Sequence, residues 1–228
     1  MTTRSDAKFQ IKAGDFRFTF LNSGDLCEAT HKMTMINQWI SNPIDGALNN
    51  LYLRLQRSHG LQVVPLLGVQ SQSIVQYCES QVRWEGTVDE VHYQVTFSLT
   101  EQGVWFWEIT VDGHDVEVDV IYGQDVGIAD KGAVQSNEAY LSQYIDHAVF
   151  EDQDKGYVVC SRQNQPQHMG LFPYLQQGAL TKTIGYSTDG FQFFGLSYKE
   201  TNQPEVLSTE MLPNEVYQYE FAYTGLQS

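Results

Sequence analysis

Basic residues are scarce in this 228-residue sequence: 13 Lys and Arg stand against 28 Asp and Glu, a formal net charge of −15. A field of that sign repels phosphate backbones, and no local Lys/Arg cluster offsets it, so neither nucleic acid nor an anionic membrane surface is an expected partner. Long apolar runs are missing too: none approaches the length that spans a bilayer. Residues 1–9 carry Arg4 with no apolar stretch behind it and do not read as a signal peptide. Cysteine is reduced to Cys27, Cys78 and Cys160, an odd number without the paired spacing of a zinc or redox motif. A cytoplasmic protein with reduced thiols is the expectation. Catalytic signatures are also lacking, since no serine-centred elbow, phosphate-cradling glycine loop or zinc-ligand spacing occurs.

What is present is aromatic and amide-rich. Aromatic residues make up 13% of the chain, charged residues only 18%, and 23 glutamines supply much of the remaining polarity. That mix is too apolar for a disordered chain, and aromatics favour pleated, half-buried surfaces. A chain of this length forms one large β domain and buries enough surface to need no disulfide or metal staple.

Period-two alternation dominates the sequence. Phe16, Phe18 and Phe20 alternate with Arg17 and Thr19, and Leu51, Leu53 and Leu55 with Tyr52, Arg54 and Gln56. Val91, Tyr93, Val95, Phe97 and Leu99 precede the turn Glu101-Gln102-Gly103, after which Trp105, Trp107, Ile109 and Val111 resume the pattern, which predicts a hairpin. Val116, Val118, Val120 and Tyr122 alternate with Glu117 and Asp119; residues 192–198 and the series Tyr217, Tyr219, Phe221, Tyr223 read as late strands. Asn42-Pro43, Asp112-Gly113 and Asp189-Gly190 punctuate these runs as turns. Residues 136–145 fit a helix opened by Ser136 and a strand almost equally, and stay unassigned. The predicted fold is all-β: antiparallel sheets packed face to face as a sandwich, each buried on one side.

Carboxylates are plentiful, yet their spacing singles out no catalytic acid. Asp112, Asp115, Glu117 and Asp119 read as a solvated acidic face, with a calcium site as the sharper alternative, although the glycine and terminal glutamate of the known loop are missing. His147, Glu151 and Asp152 are weighed as metal ligands against ordinary surface residues, and no metal site is assigned. Two polar stretches stand apart. Residues 122–147 read YGQDVGIADKGAVQSNEAYLSQYIDH, too polar for a core strand and too long for a simple turn, and residues 161–167 read SRQNQPQ. Amides, arginine and tyrosine present donors and acceptors in fixed planes, which suits sugar hydroxyls, whereas the plain alternative is a long hydrogen-bonded surface loop.

At these stretches the sequence resembles the N-terminal part of the glycoside hydrolase family 94 phosphorylases, nearest the 1,2-β-oligoglucan phosphorylase and cyclic β-1,2-glucan synthase branch. The residues that carry the resemblance are VDVIYGQDVGIADKGAVQSNEAYLSQYIDH (118–147), GYVVCSRQNQPQ (156–167), STDGFQFFGLSYK (187–199) and LPNEVYQYEFAYTGLQS (212–228). It implies a supersandwich of galactose-mutarotase type that precedes a helical (α/α)6 barrel. The barrel would carry the catalytic acid of an inverting phosphorolysis of β-glucan oligosaccharides, with inorganic phosphate as co-substrate and no cofactor. The chain, a single domain over 1–228, would then be an N-terminal fragment with no catalytic residue of its own. The barrel of the same polypeptide and a β-glucan would be its partners. The residues expected to face the barrel or its sugar are Gln124, Asp125, Asn137, Glu138, Tyr144, Arg162, Gln163 and Asn164.

Two other readings remain open at this point. A mutarotase-type epimerase would need a base and an acid across a sugar ring, for which His147 or His168 with Glu138 are the candidates. A carbohydrate-binding module would need exposed aromatic platforms, for which Trp39, Trp84 and Tyr174 are candidates, although such residues more often belong to a core.

Overall fold

A computed structural model describes residues 8–58, 60–113, 116–218 and 221–228; the sequence readings at residues 1–7, Asp115 and Tyr219 lie outside it. The chain runs through strands β1 (Lys8–Ala13), β2 (Phe16–Leu21), β3 (Leu26–His31), β4 (Thr34–Met35), β5 (Asn50–Arg57), β6 (Gly60–Pro65), β7 (Ile74–Tyr77) and β8 (Gln81–Val88). It continues through β9 (Val91–Leu99), β10 (Trp105–Asp112), β11 (Glu117–Asp125) and β12 (Ala129–Asp130) into helices α1 (Lys131–Ser136) and α2 (Glu138–Ser142). After them come β13 (Ile145–Asp152), β14 (Gly156–Gln163), β15 (Tyr174–Gln177), β16 (Gly185–Asp189), helices α3 (Gly190–Phe194) and α4 (Tyr198–Thr201), and β17 (Ala222–Gln227). Strand accounts for 50% of the residues and helix for 12%, far below the roughly one third of helix in an average domain. The chain is all-β.

The strands form four antiparallel sheets, in the orders β1-β2-β3-β4-β12, β10-β9-β8-β7, β16-β17-β11-β5-β6 and β13-β14-β15. The predicted hairpin is β9–β10, with Phe97 opposite Trp107 and Val95 opposite Ile109. Its turn closes through Thr100 N–H to the Val104 carbonyl at 2.8 Å. The largest core cluster joins three sheets, since it gathers Phe18 and Phe20 of β2, Leu51, Leu53 and Leu55 of β5, and Trp84, Val95 and Phe97 of β8 and β9. Ring contacts knit it together: Phe18–Phe97 at 5.0 Å, Phe20–Phe97 at 5.2 Å and Phe20–Trp84 at 5.8 Å, distances at which offset and edge-on aromatic pairs attract.

Two sequence expectations change in the folded chain, and a third segment that the sequence left open is assigned. First, β5 is not buried on one side only, because Tyr52 and Arg54 are buried along with the leucines that flank them. Tyr52 packs into a second cluster with Ile121, Phe193 and Tyr223. Arg54 holds the Asp119 carboxylate in a two-pronged pair at 2.7 and 2.6 Å, and its remaining donors reach the carbonyls of Leu207, Thr209 and Glu210. Asp119 is therefore the counter-ion of a buried arginine rather than part of a solvated face, whereas Asp112 and Glu117 are exposed. Second, residues 192–198 are not a strand. The Asp189 carboxylate caps α3 by accepting from Phe191 N–H, and Gly195 ends the helix at φ +72°, a conformation a side chain would oppose. Third, residues 136–145 divide into α1, α2 and the start of β13. Asn137 caps α2 by accepting from Tyr140 N–H, so the cap lies one residue after Ser136.

Candidate functional site

The two polar stretches singled out by sequence lie side by side. Asp130 N–H donates to Gln167 Oε1 at 2.8 Å, and the Asp130 carboxylate accepts from His168 N–H at 2.9 Å. Asn164 N–H donates to the Tyr144 carbonyl at 2.8 Å, and Gln163 Nε2 to the Leu141 carbonyl at 3.3 Å. β13 and β14 complete the junction, with Ile145 opposite Gln163 and Asp146 opposite Arg162.

Of the eight expected site residues, three point inward. The stretch thought too polar for a core strand begins as one: Tyr122 to Asp125 close β11, which pairs with β5 on one side and β17 on the other. Gly123 fits there because a Cβ would fall 2.1 Å from the Tyr223 hydroxyl. Gln124 is buried, and its Oε1 accepts from the Tyr122 hydroxyl at 2.6 Å and from Gln177 Nε2 at 2.9 Å. Gln177 in turn accepts from the Thr224 hydroxyl at 2.5 Å. Asp125, 1% exposed, accepts from Gln38 N–H at 2.9 Å and Trp39 N–H at 2.7 Å, fastening residues 38–39 to the end of β11. Burial pushes its carboxyl up to about 7, against the lowering effect of the Trp39 and Gln38 amides. Gln163 is buried as well, and its Oε1 accepts from Gln165 N–H at 3.0 Å.

The other five lie toward the surface of the same region. Asn137, Tyr144, Arg162 and Asn164 are exposed and Glu138 is half-buried. The Tyr144 hydroxyl donates to the Tyr140 hydroxyl at 3.0 Å, a bond that raises its pKa above the ordinary phenol value. The Asn164 side-chain amide bonds the Asp146 carboxylate, and the Arg162 guanidinium sits 5.4 Å over the Phe172 ring. Beside them lies an apolar group of which sequence reasoning named only Tyr174: Met169, Leu171, Phe172 and Tyr174 are all exposed, Met169 by 85% and Tyr174 by 79%. The signal was the run HMGLFPYL, apolar yet without alternation, directly after the second polar stretch.

The remaining candidates separate plainly. The half-buried His147 ring bonds the Ser161 hydroxyl at 2.9 Å, and burial pushes its pKa down to about 4 while Asp146 opposes the shift. Asp152 caps a turn by accepting from Asp154 and Lys155 N–H groups, which hold its carboxyl below the usual range. Among the described residues no three His, Cys, Asp or Glu side chains converge as metal ligands. Trp84 is core, whereas Trp39 and Tyr174 are exposed.

Fold and surface together define an antiparallel β domain whose interior amides bond one another and whose outer face mixes amide, phenol, guanidinium and aromatic groups. A family model described as the SOGP N-terminal domain matches residues 19–228, and the chain belongs to that family. It is 42% identical over 219 residues to a 1,2-beta-oligoglucan phosphorylase of Listeria innocua serovar 6a. The alignment covers 96% of this chain and 20% of that relative, so the chain spans a fifth of the relative's length.

Proposed function

We propose that this chain is the non-catalytic N-terminal domain of a phosphorylase acting on β-1,2-linked or related gluco-oligosaccharides, and that it docks on the catalytic part and helps to shape the substrate cleft. The observation that carries the reading is the family match over residues 19–228, together with a relative named for that activity of which this chain matches only a fifth. In the finer form of the proposal the four sheets are a mutarotase-like supersandwich, the catalytic part is a helical barrel of the family 94 type, inorganic phosphate is the co-substrate, and the protein works in the cytoplasm. The docking face is the surface of α2, the end of β14 and residues 164–174. Tyr144, Arg162 and Asn164 stand there beside Met169, Leu171 and Phe172, and contacts between domains of one chain are commonly this mixed in polarity.

A chimera tests the proposal. This chain replaces the matching fifth of the Listeria relative, and phosphorolysis of a β-1,2-gluco-oligosaccharide is assayed as release of glucose 1-phosphate. The chimera is expected to turn over, the isolated chain is expected to be inactive, and Arg162→Ala in the chimera is expected to weaken activity about tenfold or more through lost docking. A folded chimera without activity, or phosphorolysis by the isolated chain, would refute the assignment.

A further inference from the structure

We infer that the cavity between α1, α2 and residues 165–167 is a subsite for a neutral, hydroxyl-rich ligand, namely one glucosyl unit of a β-glucan. That the ligand is a glucan rests on the proposed function; that it must be neutral and donate hydrogen bonds comes from the cavity itself. The cavity holds about 300 Å³, the lower end of the roughly 300–1,000 Å³ of small-molecule sites, and Asp130, Asn137, Tyr140, Leu141, Gln165 and Pro166 stand in its wall.

Two acceptors in that wall are unpartnered. Asp130 Oδ1 and Gln165 Oε1 are both buried without a hydrogen bond, although Asp130 Oδ2 accepts from His168 N–H and Gln165 N–H donates to Gln163. Buried acceptors are ordinarily satisfied, so two orphans at one cavity call for a donor from outside. The terminal torsion of Gln is broad and roughly two-fold, so the Gln165 oxygen turns toward the cavity at little cost, whereas turning Asp130 Oδ1 there trades away the bond from His168 N–H. Tyr140 adds the opposite polarity: its hydroxyl accepts from Tyr144, which leaves its own proton to donate. Tyr140 is 45% exposed, and with Pro166 it offers an apolar surface for the C–H face of a sugar. Anions are disfavoured, because the adjacent Lys131 is paired with Glu28 and Asp130 itself is acidic. A metal ion would need more ligands than converge here among the described residues. A pyranose supplies what remains: several O–H donors, no charge and an apolar face.

The test is an NMR titration of the ¹⁵N-labelled 228-residue chain with the β-1,2-linked trisaccharide of glucose, and separately with glucose 1-phosphate. Saturable shifts are expected at the amides of α1, α2 and residues 165–167, with a dissociation constant on the order of millimolar for the trisaccharide. Glucose 1-phosphate should bind several-fold more weakly, as a charge-repelled ligand. Asp130→Asn keeps an acceptor for His168 N–H but turns an amide donor into the cavity; it and Tyr140→Ala should each weaken binding about tenfold, the effect of one lost polar contact or platform. Gln165→Leu serves as a second probe should Asp130→Asn disturb the fold. Absence of saturable shifts, shifts centred elsewhere, equal binding of glucose 1-phosphate, or unaltered binding by both Tyr140→Ala and Gln165→Leu would overturn the subsite. Such a failure leaves phosphorolysis by the chimera untouched, whereas an inactive chimera with sugar still bound here would refute the proposed parentage and spare the subsite.

Discussion

Around Phe97 the interior is a web of rings. Phe18, Phe20 and Trp107 all lie with their centroids within 5.2 Å of it, and the contacts among these rings are apolar. Around Gln124 the interior is equally closed to solvent, yet it is built of Gln177, Thr224 and Tyr122 joined by hydrogen bonds of 2.5–2.9 Å. The first region is held by burial of apolar area and dispersion, which ask for close packing but for no particular donor or acceptor. The second depends on every donor finding its acceptor, because an amide deprived of its partner keeps the full cost of its desolvation. Polarity of a residue type thus decides which chemistry holds it in place and does not decide whether it faces water.

The largest effect is expected where the rings meet. Phe97→Ala should destabilise the chain by about 3–5 kcal/mol in urea unfolding, since neighbouring rings from two sheets cannot collapse into the gap. A loss below about 1 kcal/mol would mean that the aromatic web is loose and the contrast with the amide interior false.

Next comes the amide region. Gln177→Ala removes the shorter bond of the Thr224 hydroxyl, leaving it only the Gln124 carbonyl at 3.3 Å, and strips Gln124 Oε1 of one donor; it should cost about 1–2 kcal/mol. Adding Thr224→Val removes the weakened hydroxyl and should recover part of that loss, measured as a double-mutant cycle. No recovery would show that Gln177 acts through packing rather than through its hydrogen bonds.

The smallest net effect in the unmodified chain is a slope against pH, because two groups shifted by burial oppose each other. Asp125 has its folded pKa raised to about 7 from about 3.9 unfolded. Its contribution to stability is therefore full below about pH 4 and lost as pH rises through 7. His147 has its folded pKa lowered to about 4 from about 6.5 unfolded; its contribution is present above pH 6.5 and lost as pH falls through 4. The two oppose each other between pH 4 and 6.5. Asp125→Asn should leave the His147 slope alone, with the melting temperature falling on acidification by the equivalent of at most about 1.4 kcal/mol per pH unit. His147→Gln should give the reverse slope. Identical pH profiles in both variants and the unmodified chain would show that neither group titrates in this window.

Legibility followed the same division. The β9–β10 hairpin was readable because strict alternation ends at a three-residue glycine turn, and both signals are local. α3 was not, because Phe191, Phe193 and Phe194 resemble a strand until Asp189 and Gly195 are seen to cap a short helix. At the candidate site the two polar stretches were legible as special and as neighbours of interest. Which of their side chains face out was not: Gln124 and Gln163 turn inward to partners on other strands, while Arg162 and Asn164, one residue to either side of Gln163, turn outward.

The sequence by itself determined that the chain is acidic, all-β and built of antiparallel pairs, because alternation, turn residues and net charge act over a few residues or over the whole surface. Tertiary structure alone decided that β5 is covered on both faces, that Arg54 meets Asp119, and that Asp130 and Gln165 stand at one cavity. Each of these depends on groups far apart in the chain, and a polar side chain goes inward only where such a partner waits for it.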